Sequence, residues 1–400
     1  MKFQIVMVVA LFLGCAGETP LSPAGSEDGP VPGTQVVEPV AVDTIPVAEG
    51  RLVPREIGPL ELRWIGVQGF LLTYGGESVL TAPLFTRPNG FTVSTGLPVT
   101  SDTASVSSHL SAELLSHVSV VLAGHAHYDH LLDVPAVLQR APNATLYSNI
   151  SARNLLAAWA PDRQARCIGT DAQSPTISRS RVIALDDPLA SHVDWTNCPS
   201  KKPAQAPLQG SWVKAGEHVR ILAVCSEHPD QIGPYHFGAG DVTDEACEPP
   251  TSMPEWKEGV TLAFLIDFLD PYTDAPLYRV YYQDAPATAP LGQVPPMFLA
   301  DKRVDVALLN VGSYENAPGE PGNILQELNP RFAIGGHWED FFRGADAEPQ
   351  PIPLLDPDGW KQKALTAIGN DAAGSWLTNG AANPVRVVVP HPGDTFSVPH

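Results

Sequence analysis

Three imidazoles and a carboxylate, His125-Ala126-His127-Tyr128-Asp129-His130, stand directly behind the apolar run Val118-Ser119-Val120-Val121-Leu122. An apolar run of that length ending at Gly124 reads as a buried strand that stops at a sheet edge. Neutral imidazole and carboxylate are preferred ligands of zinc and similar divalent ions. The segment therefore predicts a strand end that carries most of one metal site and part of a second. A polar turn that happens to be rich in histidine is the plain alternative.

Three later segments repeat the logic of a strand with a ligand at its end. Arg220-Ile221-Leu222-Ala223-Val224-Cys225-Ser226-Glu227-His228 places His228. Tyr278-Arg279-Val280-Tyr281-Tyr282-Gln283-Asp284 places Asp284, and Phe332-Ala333-Ile334-Gly335-Gly336-His337 places His337. A single histidine behind a strand is usually a hydrogen-bonded structural residue. Joined to the first cluster, these residues have the number and type needed to fill two metal sites. In an extended segment residues two apart point the same way, so His125 and His127 can share one ion. Asp129 and His130 follow on the turn into a helix and can aim at its neighbour.

Alternation of strands and helices around this motif predicts an α/β layered fold. Strands are expected at Leu60 to Val67, Gly69 to Tyr74, Ser78 to Thr81 and Thr145 to Ser148. Helices are expected at Asp133 to Ala141 and at Ser151 to Trp159, with Ser151 as N-cap. From Asp171 to Gly216 the pattern dissolves into an irregular excursion. Strands resume at His218 to Val224, Val260 to Phe268, Leu277 to Tyr282, Val304 to Val311 and Phe332 to Ile334. A short helix is expected at Gly322 to Leu328, and Val385 to Val389 is expected to close the sheet.

The folded domain is expected over residues 58–400, behind a signal segment at 1–15 and a disordered Pro/Gly-rich linker at 16–57. Lys2 and the apolar stretch Ile5 to Leu13 form a targeting segment too short to span a bilayer comfortably. It ends in Leu11-Phe12-Leu13-Gly14-Cys15, which resembles a bacterial lipoprotein processing site, although Phe12 and Leu13 depart from the preferred pattern. Ordinary secretion with cleavage elsewhere is the alternative. As a coil the linker would reach roughly 35 Å, enough to hold a domain off a membrane. Export to an oxidising compartment makes two disulfides the expected state of Cys167, Cys198, Cys225 and Cys247, with three pairings open. With 24 Lys+Arg against 44 Asp+Glu, the net charge of -20 repels phosphate backbones and argues against nucleic acid as a partner.

The ordered motifs resemble those of the metallo-β-lactamase superfamily of metallo-hydrolases, whose signature is His-x-His-x-Asp-His. The likeness runs from about Leu60 to the C-terminus. Within the superfamily, Trp64-Ile65-Gly66 and Gly336-His337-Trp338-Glu339-Asp340-Phe341-Phe342 look most like the branch containing the N-acyl phosphatidylethanolamine phospholipase D type. The resemblance implies a four-layer αββα sandwich with the site in the groove between its halves. It implies one metal, most simply Zn2+, held by His125, His127 and His228. A second would be held by Asp129, His130 and His337, with Asp284 bridging the two.

The expected activity is hydrolysis of an ester, lactone, amide or phosphodiester by water made nucleophilic between two zinc ions, with Asp129 also orienting that water. Tyr235, His236 and Trp338 are the candidate substrate contacts, and a small-molecule or lipid-like compound is the expected substrate. His192, His391 and His400 are read as having no functional role. Where the family has Asp-Pro after its third strand, this chain has Thr81-Ala82-Pro83, a loss expected either to weaken a metal or to shift support of the first motif to another residue. Two other readings use the same motifs: an iron-dependent oxidoreductase, or a cell-surface binding module whose site has decayed. Membrane contact is expected only through a lipid anchor, and the motifs leave oligomeric state open.

Overall fold

The structure, a computed structural model, describes residues 42–46, 52–167, 176–187, 198, 210–231, 234–369 and 375–400, with backbone alone for 42–46 and 52–56. The targeting segment with Cys15, most of the linker and most of the irregular excursion with His192 lie outside the described residues. Val42–Pro46 and Leu52–Glu56 pair antiparallel as a separate two-stranded sheet. Part of the stretch read as disordered linker is thus paired backbone.

Alternation in Leu60–Gly66 shows how the strands sort their residues. Leu60, Leu62 and Trp64 face inward, while Glu61 and Arg63 face solvent, the period of two that one covered face requires. Leu262–Leu269 is instead buried at all eight positions, as a strand covered on both faces must be. Among the described residues such strands assemble two large sheets of nine and seven strands.

The first sheet runs, in spatial order, Ala381–Asn383, Trp376–Thr378, Thr395–Val398, Leu60–Gly66, Gly69–Tyr74, Glu77–Thr81, Val118–Leu122, Thr145–Ser148 and Val182–Ala184. The second runs Val387–Val388, Phe332–Gly336, Val306–Asn310, Pro276–Gln283, Leu262–Leu269, Val219–Cys225 and Val213–Lys214. In each sheet the strands nearest the ligand motifs include parallel pairs: Glu77–Thr81 with Val118–Leu122, and Val306–Asn310 with Phe332–Gly336.

Leu62, Trp64, Phe70 and Leu122 of the first sheet share one buried core with Leu222, Phe264, Tyr282 and Leu308 of the second. The other face of the first sheet packs Leu71, Leu80 and Leu146 against Val137 and Leu138 of helix Val134–Arg140 and Leu155 of helix Ile150–Leu156. Helices Gly322–Leu328 and Pro357–Ile368 bring Leu325 and Trp360 into the core of the second sheet. Helix, sheet, sheet and helix form the four layers of an αββα sandwich, the expected fold class.

Several local expectations need correction. Asn149, not Ser151, caps the helix at Ile150–Leu156: its Oδ1 accepts the Ala152 N–H at 2.8 Å, while the Ser151 hydroxyl accepts from Val242 N. Val182–Ala184, inside the stretch read as irregular, adds an edge strand parallel to Thr145–Ser148. Val387–Val388 does edge the second sheet, but Thr395–Val398 returns the chain to the first, pairing with Leu60–Gly66. The four cysteines form Cys167–Cys247 and Cys198–Cys225.

Candidate metal centre

The strand Val118–Leu122 delivers the first motif at its C-terminal end. A turn through Gly124–His127 leads into the short helix Tyr128–Leu131, whose N-cap position is His127. Gly124 is required there: a Cβ would collide with the Leu262 carbonyl and lie 2.5 Å from the Asp284 Cβ. That close approach lets the His125 backbone N–H donate to Asp284 Oδ2 at 3.0 Å. Asp284 follows the strand Pro276–Gln283 immediately, His228 lies three residues beyond Val219–Cys225, and His337 directly follows Phe332–Gly336.

His337 holds φ at +57°, and the facing Val67 holds +50°. Such backbone is costly for a side chain with a Cβ, above all a β-branched one, and persists only where contacts enforce it. Here the His337 N–H donates to the Val67 carbonyl at 2.6 Å, and the Val67 N–H donates to Glu339 Oε1 at 2.9 Å. Buried Arg87 holds the same Glu339 oxygen at 2.7 Å. These bonds clip the turn of the first sheet to the loop that carries His337.

The residues singled out from the sequence meet in two adjoining groups. His125, His127 and His228 have ligand atoms within 4.8 Å of one another, and so do Asp129, His130 and His337. Asp284 stands between the groups. Its Oδ2 lies 2.9 Å from His125 Nδ1 and its Oδ1 lies 2.9 Å from His130 Nδ1. Asp129 Oδ2 lies 3.2 Å from His337 Nε2 and 3.4 Å from His130 Nε2.

The electrostatics suit a cation. Burial, reinforced by neighbouring imidazoles, lowers the pKa of His125 and takes His127 and His228 well below the ordinary value, so these rings stay neutral with a lone pair to give. Burial would also lower His130, but the carboxylates of Asp284 and Asp129 outweigh it and raise that ring to about 10. Burial opposes ionisation of Asp129 and Asp284, yet His130 and its neighbours hold both carboxyls well below the usual range. Among the described residues, both carboxylates lie within ion-pair distance of histidines. The field that keeps a proton on His130 equally attracts a metal ion. The Nε2 of His125 is buried without a hydrogen-bond partner, a cost that ligation would remove. The donor set therefore fits a pair of divalent cations.

At the position where the resemblance leads one to expect an aspartate, Ala82 is fully buried and its N–H donates to the Leu122 carbonyl at 2.8 Å. The motif loop is held from elsewhere, through the Asp284 carboxylate on His125 and the Glu258 carbonyl on the Ala126 N–H at 2.9 Å. The Tyr282 hydroxyl donates to Asp284 Oδ1. Asn310 Nδ2 binds the Asp284 carbonyl and Gln68 Nε2 the Gln283 carbonyl, both at 2.7 Å.

Of the candidate substrate contacts, Trp338 is displaced. Its ring stacks on Trp64 at 6.0 Å within the inter-sheet core, and its Nε1 donates to the Pro390 carbonyl. The apolar surface of the ring is better buried there than in a groove. Tyr235 is exposed, and His236 lies against Glu258, with Nε2 2.5 Å from Oε2. His391 packs edge-on against Trp338, and His400 against Tyr278. Glu258 and Tyr282 were not singled out from the sequence. Tyr282 stood two residues from Asp284 and could have been found by asking what holds a buried carboxylate.

No protein-family model matches the sequence, and no curated protein matches it. Among solved structures, the chain is similar to Igni18, a metallo hydrolase from the hyperthermophilic archaeon Ignicoccus hospitalis. The likeness is 16% identity over 84% of this chain and 97% of that one, with a TM-score of 0.43. The metallo-beta-lactamase fold protein YhfI from Bacillus subtilis is similar at 12% identity over 85% and 99%, with a TM-score of 0.39. CmlA, a diiron beta-hydroxylase from Streptomyces venezuelae, is similar at 13% identity over 87% of this chain and 55% of its own, with a TM-score of 0.40.

Proposed function

We propose that the chain is a metal-dependent hydrolase of the metallo-β-lactamase type that uses two divalent cations, most simply zinc, on an ester, lactone, amide or phosphodiester. The observation that supports it best is the joining of two ligand groups through one carboxylate, with Asp284 touching His125 of the first and His130 of the second. His125, His127 and His228 would hold one ion, and Asp129, His130 and His337 the other, with Asp284 between them. Two such ions, when bound, would lower the pKa of a bound water from ~15.7 towards ~7 and would stabilise negative charge on the substrate oxygen.

The protein's own residues do the rest. Asp129, pinned between His130 and His337, is placed to orient the attacking water. Tyr282 and the His125 N–H keep Asp284 from rotating away. The burial of His125, His130 and Asp284 excludes bulk water from behind the groups.

Imidazole and carboxylate suit zinc and iron alike, so metal content decides between hydrolase and oxidoreductase. Protein grown with both metals in balance should retain zinc. It should turn over chromogenic esters, lactones, thioesters, phosphodiesters or β-lactams, and His127→Ala should not. Retained iron with oxygen consumption, or full activity in His127→Ala, would overturn the reading.

Export fits the two disulfides, which persist in oxidising compartments. The reading places the domain on a tether behind a lipidated Cys15, where a lipid-like substrate would be at hand. Mass spectrometry that finds no acyl chain on Cys15 would remove the anchor.

A further inference from the structure

Glu258 is fully buried, and one of its carboxylate oxygens, Oε1, has no hydrogen-bond partner. Its Oε2 lies 2.5 Å from His236 Nε2 and 3.9 Å from His127 Nε2. The His236 ring sits 5.4 Å from that of His228. Ligand atoms of His228, His236 and Glu258 all lie within 4.8 Å of one another, the same spread found in the two groups of the main site.

The chemistry of this third group is that of a cation site. Two imidazoles and one carboxylate are a zinc-type donor set. Asp230 Oδ1 stands 3.4 Å from His236 Nδ1, on the far side of the ring. A carboxylate there keeps the proton on Nδ1 and turns Nε2 towards Glu258, as outer partners of metal-bound histidines do. His228 Nδ1 donates to the Pro229 carbonyl at 2.8 Å, which leaves Nε2 as its ligand atom. One lone pair serves one ion. His228 can therefore close the inner group with His125 and His127, or the outer group with His236 and Glu258, but not both.

Gly238 brings the outer loop this close. Its φ is +67°, and a Cβ would lie 2.7 Å from His127 Nε2. The Gly238 carbonyl meets that nitrogen at 3.3 Å and accepts the Glu258 N–H at 2.9 Å. The loop of His236 and the strand approach of Glu258 are thus locked together beside the inner group.

We infer that His228, His236 and Glu258 form a separate, weaker seat for a zinc-type divalent cation, which draws His228 away from His125 and His127 when it fills. It rests on the reading of His228 as a ligand of the main site. The inner ion would then keep His125 and His127, so excess metal loosens the inner position.

The test is a Zn2+ titration of the metal-free, full-length protein against a chromophoric chelator. Wild-type protein should take up two tight equivalents and a third, weaker one. Glu258→Gln and His236→Gln should each lose the weaker equivalent and keep the tight pair. Anomalous scattering from zinc-soaked crystals should place the added ion between His228, His236 and Glu258. Saturation of the wild type at two equivalents, or a weaker equivalent that survives in both variants, would overturn the proposal. The tight equivalents report on the main site and the weaker one on the outer seat, so the two readings fail separately.

Discussion

His337 Nε2 meets Asp129 Oδ2 at 3.2 Å across 208 residues of sequence. The contact joins the end of a strand in the second sheet to the short helix that follows a strand in the first. The candidate metal centre is therefore a product of the packing between sheets. Any change that separates the layers should be felt there before it is felt in the secondary structure.

Asp129→Asn tests this contact directly. The substitution keeps the shape but removes the charge that His130 and His337 share. One of the two tight metal equivalents should weaken, and turnover should fall ~10²-fold or more. Metal analysis and steady-state kinetics on the same preparation check it, with far-ultraviolet circular dichroism unchanged. Two tight equivalents and wild-type turnover would show that Asp129 is only a structural acceptor.

Tyr282→Phe removes the hydroxyl donor to Asp284 and no direct member of the two ligand groups. Loss of such an outer partner commonly weakens metal binding by ~10–100-fold. Chelator competition should show that loss with a smaller effect on the unfolding temperature. An unaltered metal affinity would mean that the His125 N–H suffices to hold the carboxylate.

The two disulfides should separate stability from metal binding. Cys198–Cys225 closes 27 residues and ends three positions before His228, whereas Cys167–Cys247 spans 80. Loop-closure entropy puts their loss at about 3.5 and about 4.5 kcal/mol. Replacing Cys198 and Cys225 by serine should lower both stability and metal affinity. Replacing Cys167 and Cys247 should lower stability alone. Denaturant melts paired with metal titrations measure the contrast, and equal metal affinity in both double variants would refute it.

Glu320 gives a pH signature away from the metal. Burial raises its carboxyl from 4.5 to about 8, and the neighbouring Gln283 side chain only partly offsets this. A carboxyl raised on folding favours the protonated form in the native state. Its stabilising effect is present below the unfolded pKa and is lost as pH rises from about 4.5 through about 8. Glu320→Gln should therefore unfold later than wild type at alkaline pH, by on the order of 1–3 kcal/mol. The gap should close near pH ~5. A difference independent of pH would show that Glu320 does not titrate in that window.

The chemistry of the main site was legible in the chain because each ligand is locally encoded. An apolar strand followed by a turn places a side chain at a sheet edge whatever else the protein does, and this held for His125, His228, Asp284 and His337. Period-two alternation in Leu60–Gly66 announced a half-covered strand for the same reason. Asp356 caps Pro357–Ile368 through Gly359 N, with Pro at its first turn and Gly369 at its end, the usual punctuation of a helix.

Other features depend on which distant segments arrive side by side. Nothing near Thr395–Val398 says that it pairs with Leu60–Gly66, because alternation marks a half-covered strand without naming its neighbour. Cysteine spacing left three pairings open, and only the folded distances select Cys198–Cys225 and Cys167–Cys247. Glu258 looks like any surface acid in the sequence until the loop through Gly238 buries it against His236 and His127. The chain by itself determined which side chains can bind a cation and that strands would present them. Tertiary structure alone decided their grouping, because contact between residues so far apart is set by how two sheets pack, which no local pattern records.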